Sequence, residues 1–126
     1  MRATDVVIVA AGGAVGAAAR YVLGGWLTDR FGTAFPWHTF VINVSGAFAL
    51  GVLMALSVER GIVPPQWRLA LGVGVLGGYT TFSTLSYESI ALLSQGSYAL
   101  GFLNMFGSGA AGLLAAWLGL ATGRIV

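Results

Sequence analysis

Four long apolar stretches, separated by short polar turns, constrain this chain more than any other feature. A helix that crosses a hydrocarbon core of about 30 Å needs about 20 mostly apolar residues at 1.5 Å each. Val6–Leu27, Trp37–Val58, Trp67–Leu93 and Tyr98–Thr122 all qualify. The first is interrupted only by Arg20, the third carries Arg68 at its start and Glu88 near its end, and the other two hold no charge. Thr28–Pro36, Glu59–Pro65 and Ser94–Ser97 read as connecting loops from their glycine, proline and polar residues. Trp26, Trp37, Trp67 and Tyr98 stand at span ends, where amphipathic rings favour the headgroup level. The expected architecture is all-α and integral to the membrane, a single four-helix domain over residues 1–126.

Charge supports the same conclusion. The 126 residues hold six arginines, four acids and no lysine, where a soluble domain of this length carries about thirty charges. Ten charges cannot cover a water-facing surface, and disordered chains are polar and charge-rich. The absence of cysteine removes disulfide scaffolds, thiolate metal sites and thiol nucleophiles. A net charge of +2 is no nucleic-acid footprint. Val6–Leu27 exceeds the length of a signal-peptide apolar region and is expected to be a retained span. With the N-terminus inside, Arg2, Arg60, Arg68 and Arg124 face the cytoplasm against Arg30 alone outside, so positive-inside bias places both termini inside.

The third span carries the most unusual pattern. Gly72, Gly74, Gly77 and Gly78 are followed by Thr80, Thr81, Ser83, Thr84 and Ser86. One reading is close helix packing through small residues. The other is a break at membrane depth, where freed peptide groups can hold ions. The double glycine beside five hydroxyls favours a break.

Elsewhere, Arg20 reads either as an anion or ion-pathway residue or as a side chain snorkelling to the interface. Gly12 and Gly16 make a small-xxx-small pair suited to packing. Thr39, Asn43 and Gly46 share one helical face, as do Asn104, Ser108 and Gly112, and together these suggest a polar track. Glu88 is expected either to pair with an arginine or to lie in a vestibule, and His38 to sit at the interface. A lone histidine is no metal site. No Ser/His/Asp set, paired carboxylates or ligand cluster lies in the spans, and Gly72-x-Gly74 lacks a phosphate-binding context, so no enzyme is expected.

The string Gly77-Gly-Tyr-Thr80-Thr-Phe82-Ser-Thr-Leu85-Ser-x-Glu88 resembles the signature of the CrcB/Fluc family of fluoride channels. Gly12-Gly-x-x-Gly16-x-x-x-Arg20, Thr39-x-x-x-Asn43 and Gly107-Ser108 follow the same pattern in order. The resemblance implies an antiparallel, dual-topology homodimer in the bacterial cytoplasmic membrane, with two fluoride pores at the interface of the protomers. It implies a third helix broken near the midplane, where the carbonyls of Gly77 and Thr80 from both copies hold one structural sodium ion. It further implies that Phe82 offers its electropositive ring edge to fluoride. Asn43, Ser83 and Ser108 would line the route with Thr39, Thr81, Leu85 and Asn104, while Arg20 and Glu88 serve the vestibule or the dimer. Two departures stand out: Leu85 replaces a second phenylalanine, and Gly112 stands where a third hydroxyl is common. The arginine bias also suits a protein that pairs with an oppositely oriented paralogue. Rival readings are a small dual-topology multidrug exporter, which needs a titratable carboxylate in the membrane, and a non-transporting assembly subunit.

Overall fold

The computed structural model describes residues 1–126, all helical apart from short connections. Helix α1 is Ala3–Phe31 and α2 is Trp37–Glu59. The third span, Pro65–Ser94, is divided into α3 (residues 65–79) and α4 (Phe82–Ser94). Helix α5 is Tyr98–Ile125. The spans run past the apolar stretches that mark them in the sequence, by several residues at both ends of α1 but only by Glu59 in α2, because amide–carbonyl pairing continues into the polar flanks. Only 22 of 126 residues are buried, and exposed side chains include Val7, Tyr21, Trp26, Phe82, Leu113 and Trp117. An exterior this apolar is stable against lipid, so the chain is a multi-pass membrane protein.

Lipid gives no hydrophobic reward for bringing helices together, so packing falls to small residues that allow close backbone approach. Helix α1 lies on α3 in this way. A Cβ on Gly12 would stand 2.6 Å from the Ala70 carbonyl oxygen, and one on Gly16 would collide with the Val75 carbonyl. Helix α2 lies on α5, where Gly51, Gly119 and Gly123 meet the opposing backbone. Helix α4 leans on the first turns of α5, and a Cβ on Gly101 would press on Leu93.

The even number of spans returns the chain to the end where it began. There Arg60 Nη1 donates to the Gly123 carbonyl at 3.0 Å and also to the Val126 carbonyl, and Arg124 makes a two-pronged pair with Glu59 at 2.7 and 2.9 Å. Gly32 (φ +77°) and Gly96 (φ +83°) take the left-handed conformation that ends α1 and turns α4 into α5.

Three stretches widen from α to π geometry: Ala55–Glu59, Leu69–Leu76 and Leu103–Gly107. Such turns are often found at functional positions. Here one runs into the interruption of the third span, and another carries Asn104.

Candidate functional site at the break in the third span

The third span stops being helical at two residues halfway along its length. Thr80 (φ −84°, ψ 157°) and Thr81 (φ −150°, ψ 116°) are extended. The surrounding side chains explain why a break is tolerated at this depth. In a continuous helix the Thr81 N–H would return to the Gly77 carbonyl; instead it donates to Asn43 Oδ1 at 2.8 Å. Asn43 Nδ2 donates to the Thr81 carbonyl at 3.0 Å, so one amide satisfies both backbone groups of an extended residue. The Thr84 N–H, which would return to the Thr80 carbonyl, is capped by Thr81 Oγ1 at 3.2 Å. Thr80 Oγ1 folds back onto the Leu76 carbonyl at 3.0 Å and closes the end of α3. Arg20 Nε donates to the Gly78 carbonyl at 3.2 Å, tying α1 to the same place.

Three carbonyls freed by the break, those of Gly77, Tyr79 and Thr80, meet no side-chain donor, whereas that of Gly78 is taken by Arg20. Those of Gly77 and Thr80 have lost the amides a helix would give them to Asn43 Oδ1 and Thr81 Oγ1. The alternatives left open by the sequence thus resolve in favour of a break, with close packing at Gly74 and Gly78 beside it: Gly74 approaches Gly12, and Gly78 approaches Gly13.

A cavity of ≈ 400 Å³ opens on this break, lined by Asn43, Gly77, Thr80, Thr81, Phe82, Leu85 and Ser108 among others. Seven residues singled out in the sequence are therefore gathered from three spans at one place. Their exposures differ. The Phe82 ring is 71% exposed beside the break, whereas Leu85 is 7% exposed and faces the protein interior. Ser108 is buried with a hydroxyl that finds no partner in the protein. Ser83 is exposed on the first turn of α4, its Oγ 3.3 Å from Thr81 Oγ1.

The remaining candidates lie around this centre. Thr39 is 1% exposed, one turn from Asn43 on the same face of α2. With Arg20 and Thr81 it lines a second cavity of ≈ 610 Å³ toward the α1–α2 connection. Thr81 borders both spaces. A third cavity of ≈ 530 Å³ lies toward the terminal end and shares Leu50 and Gly72 with the first; Arg2, Asp5 and Arg68 are at its rim. Asn104 does not line the first cavity. It is fully buried and donates to Ser89 Oγ at 3.1 Å, and Ser89 in turn donates to the Leu85 carbonyl at 2.8 Å. Asn104 Oδ1 has no partner.

Glu88 pairs with neither an arginine nor open solvent. Its Oε2 lies 2.9 Å from His38 Nε2. Sequence reasoning treated these two residues separately. A carboxylate inside a span requires a partner, and the chain's single histidine at the start of the adjacent span was the signal. Ser89 was missed because one more hydroxyl in a serine-rich segment has no distinguishing spacing. No group of three histidine or acidic side chains forms a metal-ligating cluster.

Comparison with known proteins adds a family to this geometry. Residues 7–120 match the model of the family described as CrcB-like protein, Camphor Resistance (CrcB). A protein of Solibacter usitatus named fluoride-specific ion channel FluC is 47% identical over 117 residues, covering 93% of this chain and 96% of the relative. The protein of that name from Thermus thermophilus is 48% identical over 116 residues, with 92% and 91% coverage, and that from Geotalea daltonii is 42% identical over 121 residues, with 96% and 98% coverage. These relatives bear the name of an ion channel and not of an enzyme. With a match that runs through all four spans and the break between α3 and α4, the chain belongs to the CrcB family of fluoride channels.

Proposed function

We propose that the chain conducts fluoride across the bacterial cytoplasmic membrane and so limits its toxicity, working as an antiparallel, dual-topology homodimer with two pores. One observation carries the reading. The Asn43-anchored break sets the unpartnered carbonyls of Gly77 and Thr80, the Phe82 ring, the Ser108 hydroxyl and the Asn43 amide around one cavity. Fluoride is small and tightly hydrated, so a route for it must replace water with donors and electropositive edges. Phe82 offers such an edge, and its exposure beside the break suits a surface that a second copy covers. Ser83, Ser108, Thr39 and Thr81 supply hydroxyls along the route, and Asn104 holds the α4–α5 seam through Ser89.

The carbonyls of Gly77 and Thr80 fit a structural sodium ion. They are hard oxygen donors with no amide of their own, and an inverted second copy would double their number. Bound there, the cation would supply fixed positive charge near the middle of the membrane. Arg20 holds the Gly78 carbonyl and so keeps the peptides on the α3 side of the break in place. The printed names of the relatives support fluoride as the ion. The exporter reading loses support from Glu88, which is occupied by His38.

A second reading of the assembly is favoured by the grouping of Arg2, Arg60, Arg68 and Arg124 at one end: pairing with an oppositely oriented paralogue. Tagging both termini in cells separates the two. The function itself is tested with purified protein in liposomes. Fluoride efflux with chloride retained is the expected result. Proton-coupled drug uptake would replace it with an exporter, and no flux of either kind with an assembly subunit.

A further inference from the structure

From the side chains that flank the break we infer that Tyr79 and Ser45 form a latch, which makes Tyr79 a positioning residue for the ion route. Its use in conduction rests on the fluoride-channel reading; the latch itself rests on contacts alone. Tyr79 is the last residue of α3, and Ser45 stands two positions after Asn43 on α2. Their hydroxyl oxygens are 2.9 Å apart. This is the only hydrogen bond between α2 and the last turn of α3, because Arg20, which holds Gly78, comes from α1. Asn43 grips the break from the other side, at Thr81, so α2 holds the chain on either side of Thr80.

Gly46 lies against the same residues. A Cβ there would stand 3.3 Å from the Tyr79 ring and would collide with the Thr80 methyl, so the bare backbone of α2 receives both side chains. Asn43, Ser45 and Gly46 thus make a cradle for Tyr79, Thr80 and Thr81. The carbonyls of Gly77 and Thr80 fall on either side of Tyr79 in the chain, so a fixed Tyr79 limits how they move relative to each other. Neither Tyr79 nor Ser45 lines the three cavities described above, so the latch acts by placing other groups and not by touching the ion.

The direction of the bond follows from Ser45. Its Oγ lies 3.1 Å from the Ile42 carbonyl oxygen, which can only accept, so the one serine proton goes there. Tyr79 then donates to Ser45 Oγ, and a relay runs from Tyr79 through Ser45 to Ile42. At the depth of the break no bulk water competes for either hydroxyl, and a hydroxyl stripped of its partner there costs more than the bond itself contributes. The two ends of the latch are therefore unequal. Removing the Tyr79 hydroxyl leaves Ser45 satisfied by Ile42, whereas removing Ser45 Oγ strands the Tyr79 hydroxyl.

Amide exchange at Thr80, whose N–H donates to the Leu76 carbonyl at 3.0 Å, reads the latch in lipid nanodiscs, and fluoride efflux from liposomes reads its use. Tyr79→Phe keeps the ring on Gly46 and is expected to speed that exchange about two- to tenfold, the effect of one net hydrogen bond, with efflux reduced by up to the same factor. Ser45→Ala is expected to speed exchange further, Ser45→Thr to keep the wild-type rate, and Tyr79→Phe/Ser45→Ala to match Tyr79→Phe alone. Simple packing would instead make the double variant the worst of the set. Unchanged exchange in Tyr79→Phe, a double variant worse than Ser45→Ala, or faster exchange with undiminished efflux overturns the inference. No fluoride flux from the wild type, with the order of exchange rates intact, overturns the channel reading and leaves the latch standing.

Discussion

Replacing Asn43 by leucine, branched at the same carbon but bulkier and without hydrogen-bonding groups, removes both bonds that hold Thr81 in its extended conformation. Each stranded backbone group costs about 1–3 kcal/mol when shielded from water. The chain can recover part of that cost, because the Thr81 N–H can return to the Gly77 carbonyl and heal the helix. What remains is about 2–4 kcal/mol against the broken conformation, or about 30- to 1,000-fold in its equilibrium with a closed one. The expected outcome is a fluoride efflux rate reduced by at least tenfold in liposomes, together with lower thermal stability in detergent and altered amide hydrogen exchange at Thr80 and Thr81. Reduced efflux with unchanged exchange at those amides would assign Asn43 to the ion route alone and refute the anchoring role. Wild-type behaviour in all three measurements would refute the whole chain of reasoning.

The α1–α3 seam is expected to reject Gly16→Val, whose side chain would overlap the Val75 carbonyl, whereas Gly25→Ala meets nothing within 4 Å and should retain wild-type yield and melting temperature. Thr81→Val removes the cap on the Thr84 amide and should cost about 1 kcal/mol in detergent unfolding, while Thr81→Ser keeps the oxygen and should cost less. Leu85→Phe places a ring toward the ≈ 400 Å³ cavity and is expected to fold and to change the fluoride efflux rate; identical rates would show position 85 to be immaterial.

Much of this architecture is legible in the residues because lipid allows few solutions. Four apolar runs of sufficient length can only be helices, and the turn residues between them mark where they end. The break was readable as a tension between Gly77–Gly78 and the hydroxyls that follow, but its position was not. That depends on which amide reaches the extended residue, and Asn43 lies 38 positions away. The roles of the polar residues depended on tertiary contacts for the same reason. Asn43 and Asn104 are both single amides in apolar spans, yet the first holds Thr81 and the second holds Ser89. Glu88 shows the limit from the other side: the need for a partner was visible, while the choice of His38 came from the packing of α2 against α4. Family resemblance supplied what periodicity could not, the grouping of Gly77, Thr80 and Phe82 at one place.

The most direct measurement is an experimental density map of the protein in lipid nanodiscs with sodium present, resolved well enough to trace peptides at Thr80 and Thr81. The expected map shows two extended residues held by Asn43, with two inverted copies bringing their Gly77 and Thr80 carbonyls around one ion. An uninterrupted helix from Pro65 to Ser94, with the Thr81 amide on the Gly77 carbonyl and no ion between copies, would contradict it.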